Sequence, residues 1–125
     1  MTRIIIIEDD QIIRESLKEI LELNSYEVIA MDSGIDLMKK IHKFKPDILI
    51  TDIIMPDMDG IEIIIEAKKT LPDIKLIAIS GGGMIDSGSY LDTAKSLGAD
   101  LTLKKPFTHD KIITAIKNLT ENQKT

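Results

Sequence analysis

Ile48-Leu49-Ile50-Thr51-Asp52-Ile53 is an apolar run with a single aspartate set near its end. Such a run has the length of one β-strand, and its isoleucines pack well on a pleated surface. Four more short runs flank it: Ile4 to Ile7, Tyr26 to Met31, Ile74 to Ile79 and Leu101 to Leu103. The stretches between them have helical period, which is the pattern of buried parallel strands alternating with amphipathic helices.

Ile13, Leu17, Ile20 and Leu21 fall on one face of a first helix, capped by Asp10 and ended by Asn24. Ser33 is expected to cap a second helix, with Ile35, Met38 and Ile41 turned inward. Ile64, Ala67 and Leu71 mark a third, stopped by Pro72. Tyr90, Leu91, Ala94 and Leu97 mark a fourth, stopped by Gly98. Thr108 caps a fifth that buries Ile112, Ile113, Ile116 and Leu119.

Five consecutive βα units imply an α/β fold, a doubly wound parallel sheet of the flavodoxin-like (βα)5 type with strand order 2-1-3-4-5. The isoleucine-rich first, third and fourth strands belong at its centre, and the second, which carries Glu27, belongs at an edge. In this topology the ligand crevice lies between the carboxyl ends of strands 1 and 3.

The 125 residues, 43% of them hydrophobic, suffice for one core and leave no room for a second domain. Residues 121–125 read as a polar tail. With 16 basic against 21 acidic residues, a net charge of -5, no basic footprint for nucleic acid or a membrane surface exists. Cysteine is absent, and the Ile4 to Ile7 run is too short for a signal-peptide core or a membrane span. The expected setting is cytoplasmic.

The residues that follow each strand should converge on one edge: Glu8, Asp9 and Asp10 after strand 1, Asp52 ending strand 3, Ser80 after strand 4 and Lys105 after strand 5. Carboxylates brought together raise one another's pKa unless a cation neutralises them. Mg²⁺, with Mn²⁺ as the alternative, suits an all-oxygen site with no Cys or His nearby. A carboxylate beside such an ion and a lysine is equipped for phosphoryl transfer. Asp52 would be the nucleophile, Lys105 a point charge on the phosphoryl group and Ser80 a hydroxyl donor to it.

Blander readings stand beside these. Taken alone, Asp52 is a turn or cap residue, Glu8 and Asp9 are a solvated strand end, and Lys105 is a surface lysine like Lys104. Co-location of all four favours the site. Asp57, Asp59, Gly60 and Glu66 match positions of a calcium loop, but Met55 and Pro56 break the pattern. Gly81-Gly82-Gly83 lacks the lysine of a phosphate-binding loop, and His42 and His109 are isolated.

Four segments in order, Ile6-Ile7-Glu8-Asp9-Asp10, Asp52 to Gly60, Ile79-Ser80-Gly81 and Lys105-Pro106-Phe107, make the chain resemble a bacterial two-component response-regulator receiver domain, over residues 1–120. The resemblance implies that Asp52 is the phosphoacceptor and that a histidine kinase or a histidine phosphotransfer protein donates the group. It also implies that Asp9, Asp52 and the backbone carbonyl of Ile54 ligate the metal, with Glu8 acting through metal-bound water. Gly81 would keep the phosphoryl pocket open beside Ser80, and the Lys105–Pro106 bond would be cis.

The chain departs from that family where an aromatic ring usually stands, three residues before the lysine: the residue is Thr102. With Ser80 as the remaining half of the usual switch, the glycine-rich loop becomes the expected carrier of the response. Ile54 replaces a polar residue of many relatives, so slow spontaneous loss of phosphate is expected. The output is expected to be binding of a downstream protein rather than turnover, with no output domain following the fifth helix. An aspartate-nucleophile phosphohydrolase would place an acid where Ile54 stands. A flavodoxin-like cofactor binder is disfavoured by 3% aromatic residues and no Trp.

Overall fold

Parallel pairing joins all five strands into one sheet of order β2-β1-β3-β4-β5. The computed structural model describes residues 1–53, 60–80, 92 and 94–121. The strands are β1 (Arg3–Ile7), β2 (Glu27–Met31), β3 (Ile48–Asp52), β4 (Lys75–Ser80) and β5 (Leu101–Lys104). The helices are α1 (Gln11–Leu23), α2 (Leu37–Phe44), α3 (Gly60–Thr70), α4, in which residues 94–97 are helical, and α5 (His109–Glu121). As the apolar runs imply, β1, β3 and β4 are central and β2 lies at an edge.

Alternation along each strand splits the core in two. Ile4, Ile6, Ile48, Ile50, Ile77 and Ile79 pack with Leu17 and Leu21 of α1 and with Ile112, Ile116 and Leu119 of α5. Ile5, Ile7, Leu49, Leu76 and Ala78 face the other way, toward Leu37 and Ile41 of α2, Ile63, Ile64 and Ala67 of α3, and Ala94. Every residue of β3 is buried, because both faces of a central parallel strand are covered. A strand of this kind has no solvent face, and a polar residue on it requires a partner.

The helix ends follow the expected chemistry in most places. Asp10 accepts from the amides of Ile12 and Ile13, Thr108 Oγ1 accepts from Lys111, and Gly98 ends α4 at φ 127°. Asn24 closes α1 through its side-chain amide, which donates to the carbonyl of Ile20 at 2.8 Å, while Ser25 adopts the left-handed conformation. At the other end of the sheet, Asp47 accepts from the amide of Arg3 at 2.9 Å and Asp100 from the amide of Leu76 at 2.8 Å.

Two expectations fail. The second helix begins at Leu37, and among the described residues Ser33 Oγ accepts only from the amide of Ile35, so Ser33 shapes the preceding turn instead of capping the helix. Ile35 consequently lies outside the helix and is 70% exposed, and Leu37 takes the buried place assigned to it. Leu97 belongs to α4, as its spacing implies, and is 39% exposed. Tyr90, Leu91 and residues 122–125 of the tail lie outside the described residues.

These positions differ in energy. Ile35→Ser is expected to shift unfolding free energy by less than about 0.5 kcal/mol. Ile41→Ala, at a fully buried site, is expected to lower it by about 2–5 kcal/mol. Urea titrations of both variants check the contrast, which equal losses would contradict.

Candidate functional site

The carboxyl ends of β1 and β3 are neighbours in the sheet, so the residues that leave them meet. Glu8 is 2% exposed and Asp52 is 5% exposed, a depth at which unpaired carboxylates are costly. Lys105, reached through β5, supplies the partner. Its Nζ donates to Asp52 Oδ2 at 2.8 Å and also to Glu8 Oε1. The amide of Lys105 donates to the carbonyl of Ser80 at 2.8 Å, which ties the lysine's backbone to the end of β4. The Lys105–Pro106 bond is cis.

Asp9 is exposed, and its carboxylate lies with those of Glu8 and Asp52 so that one oxygen of each falls within 4.8 Å of the others. Such a cluster fits a hard divalent cation. The donors are all oxygen, and the exposed Asp9 side leaves room for the waters that Mg²⁺ retains. Ser80 is fully buried at the end of β4. Thr102 sits half-buried on β5, paired with Ala78. Ile54, Gly81 and the other residues of 54–59 and 81–91 lie outside the described residues, so the carbonyl ligand and the glycine-rich loop have no geometry to report.

Burial pushes the Glu8 carboxyl from its ordinary 4.5 up to about 7; the hydrogen bond from Lys105 opposes the rise, and the charge of Asp52 adds to it. For Lys105, burial works against the ammonium, but hydrogen bonds to Asp52 and Glu8 outweigh it and hold the pKa above the usual lysine value.

Three contributors were not legible as site residues. Arg14 Nη1 donates to the backbone carbonyl of Glu8 at 2.9 Å and to that of Asp9 at 3.4 Å. The available signal was a cation close to a helix N-terminus, where the dipole disfavours it and a local reason must exist. Thr51 Oγ1 donates to the carbonyl of Asp52 at 3.0 Å. Gly60 reads as a turn residue, but its essential property is size: a Cβ there would lie 2.3 Å from Ile53 Cα and 2.5 Å from Asp52 O. The first turn of α3 therefore presses on the backbone that carries Asp52.

The family follows from fold and site together. Residues 4–117 match the model of the response regulator receiver domain, and the chain belongs to that family, the receivers of two-component signalling. Among curated relatives it is similar to the response regulator MprA of Mycobacterium leprae, with 30% identity over 122 residues, 98% of this chain and 52% of the relative. The chain thus spans about half the length of the curated relatives it matches. A CheY-like receiver domain protein from Methanospirillum hungatei is 31% identical, with a TM-score of 0.87 over 99% of this chain and 98% of that one. The beryllofluoride-activated NtrC4 receiver domain dimer is also 31% identical, with a TM-score of 0.86 and 98% of each chain covered. Among the described residues, no helix is long and apolar enough to cross a membrane.

The geometry yields two expectations. Gly60→Ala forces backbone against backbone and should lower stability by roughly 1–3 kcal/mol in urea unfolding, where an unchanged midpoint would refute the contact. The second concerns Glu8, whose folded pKa lies above its unfolded value. Its contribution to stability is therefore complete below pH 4.5 and is lost as pH rises through about 7. With divalent cations chelated, wild type should lose on the order of 2 kcal/mol relative to Glu8→Gln between pH 4.5 and 8. Parallel pH profiles of urea unfolding test this, and a constant difference between the two proteins would contradict it.

Proposed function

We propose that this chain, with residues 1–120 as the receiver domain, is a phosphorylation-controlled switch whose phosphoacceptor is Asp52. The observation that carries the reading is the buried Asp52 carboxylate sharing the Lys105 ammonium with Glu8 beside Asp9. A nucleophilic carboxylate needs to be fixed in place, and the phosphoryl oxygens it receives need positive charge. Both requirements are met by groups from three separate strand ends.

The donor is a phosphohistidine of a histidine kinase or a histidine phosphotransfer protein. An oxygen of Asp52 attacks phosphorus, the new O–P bond forms as the N–P bond breaks, and the electron pair leaves on the imidazole nitrogen. Lys105 Nζ turns from Glu8 toward the incoming phosphoryl oxygens, and the Ser80 hydroxyl donates to one of them. When bound by Asp9, Asp52 and the Ile54 carbonyl, with Glu8 in support through water, Mg²⁺ supplies further positive charge at those oxygens. Mn²⁺ would serve the same donors.

The consequence of phosphorylation is altered binding of a downstream protein rather than turnover of a substrate. A net charge of -5 argues for a protein partner over nucleic acid or a membrane. Thr102 carries no ring, so the response is assigned to Ser80 and the segment that follows it.

Incubation of wild type and Asp52→Asn with Mg²⁺ and acetyl phosphate, followed by intact mass measurement, tests the assignment. One acid-stable, base-labile phosphoryl adduct is expected on wild type, and none on the variant or with chelator present. No wild-type adduct, or an undiminished adduct on Asp52→Asn, overturns it. Rapid turnover of unrelated phosphate esters would make the protein a phosphohydrolase instead.

A further inference from the structure

Glu8 and Asp9 are adjacent, yet one carboxylate oxygen of each lies within 4.8 Å of the other and of Asp52. An extended strand cannot do this, because it sends consecutive side chains to opposite faces. The chain must leave β geometry as soon as β1 ends at Ile7. The amide of Glu8 still reaches Met31 at 3.0 Å, so the departure falls on the carbonyl side of Glu8 and on Asp9. Among the described residues no backbone amide outside the regular ladders donates to the carbonyls of Glu8 or Asp9. The donor to both is the Arg14 guanidinium.

Arg14 is one turn into α1, and its own amide bonds the carbonyl of Asp10 at 2.9 Å. A long helical side chain folds back toward the N-terminus, which carries this guanidinium onto the turn that precedes the helix. One nitrogen of it, Nη1, carries two hydrogens and serves both acceptors. Among the described residues it forms no ion pair with any carboxylate, although Glu8, Asp9 and Asp10 are all close in sequence. Charge neutralisation is thus not its observed use; contact with backbone oxygen is.

We propose that Arg14 is a positioning residue for the cation site, holding the β1–α1 turn so that the side chains of Glu8 and Asp9 converge on Asp52. The inference rests on the reading of that cluster as a Mg²⁺ site. It differs from a purely electrostatic role in the sign of its effect. A positive charge beside three acids opposes cation binding, so its removal alone would tighten Mg²⁺. Loss of the positioning contact would weaken it.

Isothermal titration of wild type, Arg14→Met and Arg14→Lys with MgCl₂, alongside urea midpoints measured in chelator, separates these outcomes. Arg14→Met is expected to bind about tenfold more weakly than wild type, the scale of effect seen when a group supporting a metal ligand is lost. Arg14→Lys, which keeps an N–H donor on a side chain of shorter reach, should fall between them. Unchanged or tighter binding by Arg14→Met overturns the inference, as does a lowered urea midpoint with unaltered affinity. If Arg14→Met does not fold, Arg14→Lys decides by the same sign. Wild type that binds no Mg²⁺ overturns the cation reading itself.

Discussion

A single half-buried ammonium lets two buried carboxylates share one end of the sheet. Lys105 Nζ reaches both Glu8 and Asp52, across sequence separations of 97 and 53 residues. Only the strand order 2-1-3-4-5 makes these groups neighbours, since it seats β1 beside β3 and turns the chain after β5 back over them. Breaking one partner of such a pair strands a charge in a low-dielectric place. The site is therefore an electrostatic compromise: one positive group serves two negative ones, and Asp9 adds a third at the rim.

The alternation of apolar runs with helical period was enough to define the sheet, its order and its central strands, because burial on both faces leaves a plain pattern in the chain. The placement of Asp52, Glu8 and Lys105 followed from topology alone, as each lies where a strand ends. The end of β2 and the start of α2 were harder to read. Ile35 has the spacing of a buried helical residue, yet the helix starts two residues later, and periodicity does not reveal whether a turn with Ser33 and Asp36 has already consumed those positions.

The roles of Arg14, Thr51 and Gly60 were hidden because they act on backbone rather than on other side chains. Arg14 and Thr51 donate to carbonyls of the site residues, and Gly60 is defined by the absence of a Cβ against Ile53 and Asp52. Sequence motifs advertise chemistry-bearing groups. They say little about what holds the main chain beneath those groups.

The carboxylates of Asp47 and Asp100, bonded to the amides of Arg3 and Leu76, lie at the end of the sheet remote from the site. The amide of Arg3 opens β1, and that of Leu76 is the second of β4, after the Lys75 amide, which bonds the carbonyl of Asp47 at 3.0 Å. By accepting from Arg3 and Leu76, the two aspartates clamp the strands at their amino ends, and slippage of one strand past the next would tear those bonds first. The sheet then behaves as a plate gripped along one rim. Its other rim, where Glu8, Asp52 and Lys105 meet, rests on strands whose register is held from the far side.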